Sequence, residues 1–510
     1  MGVEVGLAGG LPGIAVVGLP AAAVKESRER VRCALRHSGY HFPKARVLVN
    51  LSPADVRKEG TNFDLPISLG VLAVTGQLPA ERLRGFLALG ELSLDGRVLP
   101  VRGVLAALVA ARRDRALKGV VVPARCHAEA ALIGGVAIHP VASLAEAVAL
   151  FTGERLPEPP APPTAPREDE SLPDLADVRG QEPAKRALLL AAAGGHNVLL
   201  VGPPGSGKTM LARRLPALLP ALTDEEAVEV SLIHGARSGP LRSLVRMPPF
   251  RAPHHTVSTA GLVGGHEPIR PGEVTLAHRG VLFLDELPEF GRDALEALRQ
   301  PIEEGRLTIS RAAGSVTLPA RFQLVAAMNP CPCGFRGHPT RGCDCSEGEV
   351  RRYQHRVSGP LLDRIDLHVA VPPLDPEALR LRAPGASTCV QRPTVAAART
   401  RQAERFAGRR FRTNAEMPGP LTPALLRPAA GVEERLLDAM RRLSLSARAH
   451  ARIWRLARTA ADLEAREEIA WDDVAEALGY RALLGNGADA VGGPTHVGGS
   501  AARYRPTRKA

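Results

Sequence analysis

Residues 202–209 form the stretch Gly202-Pro203-Pro204-Gly205-Ser206-Gly207-Lys208-Thr209, which matches G-x-x-x-x-G-K-[ST], the pattern of a loop that binds nucleotide phosphates. The apolar run 198–201 before it predicts a buried strand, and residues 210–215 after it predict the start of a helix. This strand–loop–helix context favours nucleotide binding over a glycine-rich turn without a ligand. We expect Lys208 to contact the β- and γ-phosphates and the Thr209 hydroxyl to hold Mg²⁺.

A second apolar run, 281–284, ends in two carboxylates, Asp285 and Glu286. Because strands of a parallel sheet end at the edge where nucleotides bind, we expect Asp285 to hold Mg²⁺ and Glu286 to polarise the attacking water. A third run, 322–328, ends in Asn329. An amide there would hydrogen-bond the water or the γ-phosphate, although Asn329-Pro330 alone is also an ordinary turn signal.

The bulk composition bounds the class of protein. A chain of 510 residues predicts roughly two to four domains. Its formal charge of +13 suits a polyanionic partner such as nucleic acid, but arginine enrichment from a GC-rich coding bias would give the same value. It has no apolar stretch of about 18 residues and no export signal, so we expect a cytoplasmic protein without a membrane partner. Seven cysteines, an odd and low number, predict reduced thiols, with clustered cysteines as metal ligands before disulfides.

The chain divides into blocks around a proline-rich segment that predicts a semi-rigid linker. The block before the linker contains apolar runs at 46–51, 65–74 and 119–123 and is predicted to be mixed α/β, whereas residues 422–480 show helical periodicity. The Gly-rich, then basic, end predicts a disordered tail, for which a solvated terminus is favoured over a nucleic-acid contact. The predicted boundaries are 1–153 for the N-terminal domain, 154–173 for the linker, 174–373 for a nucleotide-binding core with a parallel sheet, 374–480 for a helical C-terminal domain, and 481–510 for the tail.

The motifs of the core resemble the AAA+ ATPases and, more narrowly, their magnesium-chelatase-like branch. The segment 358–366 is similar to the one that carries the arginine finger in this branch. The resemblance implies that Arg364 reaches ATP bound by a neighbouring subunit, and hence a closed homo-hexamer, although a surface arginine paired with Asp363 or Asp366 is the alternative. It also implies a C-terminal lid in which Arg448 contacts phosphate, while Arg452 and Arg455 lie on nearby faces of the same helix.

The N-terminal block is similar to the Lon protease domain at residues 90–101. The Lon nucleophile is a serine that a lysine activates. Here the serine position falls on Asn62 and the lysine position falls near Ala107, and neither side chain supports acyl transfer. The resemblance therefore implies a Lon-like domain that is structural or binds a partner.

A Lon-like domain without its catalytic pair, a chelatase-like core and a helical end together resemble the YifB/ComM family over roughly residues 3–480. Further matching motifs lie at 13–20, 24–30, 50–55 and 251–255. The family usually has one more strand before Val3, so a truncated start is expected, and it has no counterpart of the tail.

The resemblance implies an ATP-driven ring motor on branched, single-stranded or double-stranded DNA. Its implied role is a branch-migration helicase in homologous recombination or natural transformation, with recombination proteins as partners. The main alternative is a chelatase-type remodelling motor that drives metal insertion through a partner subunit. A Lon-like protease is a third alternative, which Asn62 and Ala107 disfavour.

Two features lie close to the expected ATP site in sequence. Four cysteines, Cys331, Cys333, Cys343 and Cys345, fall within fifteen residues directly after Asn329. They suit a tetrahedral zinc site with His338 as a spare ligand, while reduced structural thiols and a redox pair are alternatives because C-x-C is tighter than the usual spacing. His254 and His255 would point to opposite faces of a strand and are not expected to share a metal.

Residues 305–318 predict a β-hairpin with its turn near Gly314. In related ring helicases such hairpins project into the central pore. Arg306 and Arg311 are therefore candidates for contact with a DNA backbone, and an exposed charged hairpin without a ligand is the alternative.

Overall fold

The computed structural model describes residues 1–54, 58, 60–154, 173–265, 269–311, 314–373, 385–418 and 422–481. The expectations for the linker and the tail fall almost entirely outside these residues. Among the helices described, none combines the length and apolarity needed to cross a membrane. The chain divides into two compact units, Met1–Glu170 with Thr223–Arg246, and Ser171–Leu222 with Met247–Ala510.

The first unit is α/β, as predicted. Its sheets are a three-stranded sheet of order β1-β3-β2, a parallel three-stranded sheet of order β4-β7-β8, and the hairpin β5-β6. The strands are β1 (Gly2–Ala8), β2 (Gly13–Val17), β3 (Arg46–Ser52), β4 (Phe86–Ala88), β5 (Glu91–Leu92), β6 (Val98–Leu99), β7 (Gly119–Pro123) and β8 (Ile138–Val141). The helices of residues 1–154 are α1 (Ala22–His37), α2 (Asp64–Val74), α3 (Ala80–Leu83), α4 (Val104–Arg113), α5 (His127–Ala130) and α6 (Leu144–Thr152).

The structure describes the surroundings of Asn62 and Ala107, the two positions where we expected the Lon-like catalytic pair to be missing. The side-chain amide of Asn62 donates to the carbonyl oxygen of Arg102 at 3.1 Å. Ala107 lies within α4 and has no polar side-chain atom. Neither Asn62 nor Ala107 therefore supplies a nucleophile or an activating base to the first unit.

A helix from the middle of the chain also belongs to the first unit, although we expected residues 223–246 in the core. Helix α10 (Asp224–Ser238) begins at a capping box in which Thr223 and Glu226 satisfy each other's backbone N–H groups. Val228 and Leu232, which are four residues apart and so share a helix face, pack against the apolar cluster of α4, β7 and α5. Burial of this face explains why the segment joins the first unit.

The second unit is built on a five-stranded parallel sheet of order β10-β11-β14-β9-β15. The register pairs Val198 of β9 with Val325 of β14 on one side and with Leu367 of β15 on the other. The three central strands are buried on both faces, which explains why they are continuous apolar runs rather than alternating ones. The strands are β9 (Val198–Val201), β10 (Phe250–Arg251), β11 (Val281–Leu284), β12 (Arg306–Arg311), β13 (Gly314–Pro319), β14 (Gln323–Met328) and β15 (Leu367–Ala370).

Helices surround this sheet and continue to the end of the described chain. In the core they are α7 (Glu182–Gly194), α8 (Lys208–Ala212), α9 (Leu215–Leu218), α11 (Thr259–Val263), α12 (Glu273–Leu276), α13 (Arg292–Ala297), α14 (Arg299–Glu304), α15 (Glu347–Gln354) and α16 (Gly359–Leu362). The C-terminal set, helical as predicted, is α17 (Thr388–Arg405), α18 (Pro423–Leu426), α19 (Val432–Arg442), α20 (Ala447–Leu463) and α21 (Trp471–Gly479).

A buried polar network joins the C-terminal helices to one another. Asp462 of α20 is fully buried and forms ion pairs with Arg405 of α17 and with Arg458, whose Nε lies 3.2 Å away. The Nδ2 of Asn414 also donates to Asp462, at 2.9 Å. Because the Arg458 side chain is itself almost completely buried, this carboxylate is the charge that balances it.

Removal of this carboxylate tests the network. We expect Asp462→Ala to lower the free energy of unfolding by about 3–5 kcal/mol, because it leaves buried guanidinium groups without a counter-charge. Both tryptophans of the chain, Trp454 and Trp471, lie in α20 and α21, so tryptophan fluorescence during urea unfolding reports on this region. The control Asp438→Ala breaks an exposed pair with Arg441 and should cost less than about 1 kcal/mol. Equal losses in the two variants would contradict the assignment.

Candidate functional site

The phosphate-loop motif lies at the carboxyl end of β9, between that strand and α8. Gly207 has a φ of +92°, in the left-handed region that favours glycine. A Cβ on Gly202 would lie 2.1 Å from the carbonyl oxygen of Val371, so no larger residue fits there. Helix α8 ends at Ala212, earlier than expected, and the separate α9 follows because Pro216 cannot extend α8.

The Lys208 ammonium group is held inside this loop. It donates to the carbonyl oxygens of Gly202 at 2.7 Å and Pro203 at 2.9 Å, and to Oδ1 of Asn329 at 3.1 Å. Burial lowers the pKa of Lys208, while the two carboxylates after β11 oppose that shift. The Ser206 hydroxyl is also buried, with no hydrogen-bond partner among the described residues. A buried cation beside an unsatisfied hydroxyl suits an anionic ligand such as a phosphate.

The acidic residues after β11 face two different partners. Asp285 accepts a hydrogen bond at Oδ2 from the Thr209 hydroxyl at 2.7 Å. A carboxylate and a hydroxyl oxygen in contact are ligands that Mg²⁺ prefers in proteins, so this pair fits the metal of a nucleotide complex. Glu286 has a φ of +52°, and its Oε2 lies 3.2 Å from Nδ1 of His255. The two carboxylates therefore have separate surroundings, one at the loop and one beside an imidazole.

His255 is a neighbour of Glu286 that sequence reasoning did not identify. The premise for the histidine pair was wrong, because His254 and His255 follow β10 instead of lying within a strand. Their ring centroids are 4.1 Å apart, so the rings lie side by side rather than on opposite faces. Because an irregular loop carries no periodicity, no pattern in the sequence indicated that His255 lies beside Glu286.

Arg364 lies just after α16 and is largely buried. It donates to the carbonyl oxygen of Pro360 at 2.6 Å and forms an ion pair with Glu303. Within the described residues its ion-pair partner is therefore neither Asp363 nor Asp366, which were the expected alternatives. No contact described for Arg364 reaches the phosphate loop of the same chain.

Besides the buried Arg458, α20 carries three arginines that occupy different environments. Arg448 is 72% exposed, and its Nη1 lies 3.5 Å from Oδ2 of Asp363. Arg452 is mostly buried, and its Nη1 lies 3.8 Å from Oδ1 of Asp366. Arg455 is also partly buried, and burial lowers its pKa. Only Arg448 therefore combines exposure with a place beside the Arg364 segment.

Asp366 is a second residue that sequence reasoning did not identify, except as one alternative partner for Arg364. It is buried, and burial by itself would raise the pKa of this carboxyl group. A hydrogen bond with His196 at 3.2 Å and the charges of Arg452 and Arg455 outweigh burial and lower the pKa well below its usual range. The ionised Asp366 thus ties α20 to the start of β15, two residues from Arg364.

The four predicted cysteines come together. Their Sγ atoms all lie within 4.8 Å of one another, as a group that could hold a metal ion. His338 is not part of this group, and its Nδ1 instead accepts the backbone N–H groups of Thr340 and Arg341 at 3.2 Å each. The spare-ligand expectation for His338 is therefore not supported by the geometry.

The predicted hairpin is formed by β12 and β13, which pair antiparallel. One face is polar and exposed, with the hydroxyls of Thr308 and Thr317 3.1 Å apart. Arg306 is exposed, and its Nε lies 3.1 Å from Glu304. Arg311 ends β12 opposite Gly314, and its side chain lies outside the described atoms.

Comparison with family models matches three segments of the chain. Residues 3–126 match the model described as subunit ChlI of Mg-chelatase, and residues 174–379 match magnesium chelatase, subunit ChlI. Residues 385–481 match the C-terminal model of the same subunit. The matches therefore include both compact units and the C-terminal helices.

Comparison with curated proteins finds relatives along almost the whole chain. A protein of Mycobacterium tuberculosis is 46% identical over 94% of this chain and 95% of its own length. YifB of Escherichia coli is 41% identical and the competence protein ComM of Haemophilus influenzae is 42% identical, each over 94% of both chains. A magnesium-chelatase 38 kDa subunit of Rhodobacter capsulatus is more distant, with 30% identity over 38% of this chain and 54% of its own.

The loop geometry predicts the effect of removing the ammonium group. Lys208→Ala should weaken ATP binding roughly 10- to 100-fold, as expected for the loss of a charged hydrogen bond of about 1.5–3 kcal/mol. Titration with a fluorescent ATP analogue measures the affinity. Arg213→Ala, at an exposed arginine just after α8, is the matched control and should bind as the parent protein does. Unchanged affinity in Lys208→Ala would show that the loop does not hold the phosphates.

Proposed function

We infer the function of this chain from its family, because it belongs to the YifB/ComM family of magnesium-chelatase-like proteins. We propose that it is an ATP-hydrolysing AAA+ motor that works as a homo-hexamer on DNA. Its activity would be branch migration during homologous recombination or natural transformation, in the cytoplasm. The observation that carries the proposal is the meeting of Lys208, Thr209, Asp285 and Asn329 at one sheet edge, in a chain 42% identical to a competence protein.

One half of the ATPase site belongs to the chain that binds the nucleotide. Lys208 would exchange its carbonyl partners for the β- and γ-phosphates, which compensate its burial. Thr209 and Asp285 would hold Mg²⁺, which supplies charge compensation on the phosphates. Glu286 would orient and deprotonate the attacking water, with His255 fixing its carboxylate. Asn329, already hydrogen-bonded to Lys208, would contact the γ-phosphate or the water.

The other half would come from a neighbouring subunit. The contacts of Arg364 lie at Pro360 and Glu303 rather than at the phosphate loop of its own chain. A guanidinium group supplied in trans stabilises the charge that develops on the transferred phosphoryl group. Exposed Arg448 lies beside the same segment through Asp363, so both arginines would act on one nucleotide. This arrangement requires a ring or a filament, and a closed hexamer is the form that the family implies.

The hairpin would provide the contact with DNA. Its exposed face carries hydroxyls and Arg306, groups that bind phosphate oxygens without reading sequence. A branch-migration motor must follow any sequence, so such contacts suit it. The net charge of +13 also favours a polyanionic partner.

The ATPase rate with different DNAs tests the proposal. We expect four-way branched DNA to stimulate hydrolysis more than linear duplex or no DNA, and ATP to drive strand exchange in a labelled junction. Both activities should vanish in Lys208→Ala. The stimulation should weaken as salt rises from about 50 to 200 mM, because phosphate contacts release counterions. No stimulation by any DNA would favour the chelatase-type remodelling motor, which is represented among the relatives only by distant ones.

A variant of Arg306 tests the proposed contact between the hairpin and DNA. Arg306→Glu should weaken DNA binding and reduce the salt dependence by about one phosphate contact. The control is Arg441→Glu, which makes the same charge change at an exposed arginine in α19. If the two variants lost DNA affinity equally, the effect would come from net charge and not from the hairpin.

The trans arginine gives a separate prediction. Arg364→Ala should reduce the hydrolysis rate about 10³-fold or more while ATP affinity stays near that of the parent protein, because the group acts on the transition state. The control Arg356→Ala removes an exposed arginine paired with Glu289 and should keep its activity. Mixing Arg364→Ala subunits with Lys208→Ala subunits should restore part of the rate, since one pairing rebuilds a complete site. Normal hydrolysis by Arg364→Ala would refute the assignment.

A further inference from the structure

The four cysteines form a thiol cluster, and the distances between their sulfur atoms are close to those of a four-cysteine metal site. The Sγ atom of Cys331 lies 3.4 Å from that of Cys333 and 3.6 Å from that of Cys343, and the latter two are 3.5 Å apart. Sulfurs around zinc at about 2.3 Å would be about 3.8 Å apart at the corners of a tetrahedron. A disulfide would bring two of them to about 2.0 Å. The separations are thus close to those of a tetrahedral site and far from those of a disulfide.

The backbone around the thiol cluster stabilises thiolates. The N–H of Cys333 donates to Sγ of Cys345 at 3.4 Å, and the N–H of Arg336 donates to Sγ of Cys331 at 3.3 Å. Hydrogen bonds of this kind delocalise the negative charge of metal-bound sulfur and fix the orientation of the ligands. Gly334, with a φ of +84°, allows the turn that brings the second of these donors into place.

The thiol cluster also lies against the nucleotide site. A Cβ on Gly334 would approach Cδ of Pro204 in the phosphate loop to 2.7 Å and Cγ of Asn329 to 3.7 Å. On the other side, Nε2 of Gln354 in α15 donates to the carbonyl oxygen of Pro330 at 3.1 Å. The segment between Asn329 and α15 is therefore packed on the phosphate loop, and regular secondary structure does not hold it there.

We propose that Cys331, Cys333, Cys343 and Cys345 bind one zinc ion, and that this ion fixes the segment that positions Asn329 against the phosphate loop. Four thiolates leave no open coordination position, so the site is structural and not catalytic. Zinc does not change oxidation state, and each thiol that it binds releases a proton to solvent. The positioning role rests on the ATPase function proposed above, whereas zinc binding does not.

Metal analysis of the purified protein tests the first part. Protein prepared without chelator should contain about one zinc per chain, and Cys343→Ser with Cys345→Ser should reduce this several-fold. Cys389→Ser, at an exposed cysteine in α17, is the control and should keep the zinc. A zinc content below about 0.2 per chain, or iron in its place, would overturn the proposal. A disulfide found by thiol titration of the denatured, unreduced protein would overturn it as well.

Removal of zinc from the parent protein tests the second part without depending on how a variant folds. A mercurial reagent with a chromogenic chelator should release one zinc per chain, and thiol reduction with added zinc should restore it. In the zinc-free protein we expect ATP hydrolysis to fall roughly 10- to 100-fold, as for a misplaced catalytic group. The tryptophan fluorescence of α20 and α21 should not change. A protein that releases its zinc and keeps its full rate would refute the positioning role, and a zinc-loaded protein without any ATPase activity would refute the ATPase proposal alone.

Discussion

The parallel order of the five-stranded sheet is the constraint on which the candidate site depends. Because β9, β11 and β14 run in the same direction, their carboxyl ends share one edge, and the residues after them meet there. Two hydrogen bonds connect these residues, one from Lys208 to Asn329 and one from Thr209 to Asp285. Each joins segments more than seventy residues apart in the chain. If one strand were reversed, its polar residue would lie at the opposite edge and the site would lose a member.

Segments outside the sheet also contact the residues at this edge. The thiol cluster packs on the phosphate loop through Gly334, and His255 reaches Glu286 from the loop after β10. The ionised Asp366 connects α20 to β15 through His196 and two arginines. A movement of the C-terminal helices would therefore displace Asp366, which lies two residues after Arg364. In the proposed ring motor, such a link would couple the nucleotide state to the position of Arg364, the arginine proposed to act in trans.

Much of the site could be predicted from sequence because its parts are local. An apolar run followed by Asp285 and Glu286, or by Asn329, places a polar side chain at a strand end without knowledge of any distant contact. The position of α10 could not be predicted this way, since its apolar face gives no sign of which cluster it will cover. The ion-pair partner of Arg364 could not be predicted from sequence either. Glu303 lies sixty-one residues away, on a helix whose approach depends on how the core packs.

The sequence alone determined the phosphate-loop motif, the apolar runs that form β9, β11 and β14, and the cysteine spacing, because each is a pattern of neighbouring residues. It also determined that Asn62 and Ala107 have no side chain able to act as the serine or the lysine of the expected Lon-like pair, since that is a matter of side-chain chemistry. Only the tertiary structure decided that Lys208 donates a hydrogen bond to Asn329 and that the four thiols lie together. It also decided that residues 223–246 belong to the first unit and not to the core. These outcomes depend on which apolar faces pack together. The free energy of that burial comes from pairs of surfaces that are distant in the sequence, so no single segment determines it.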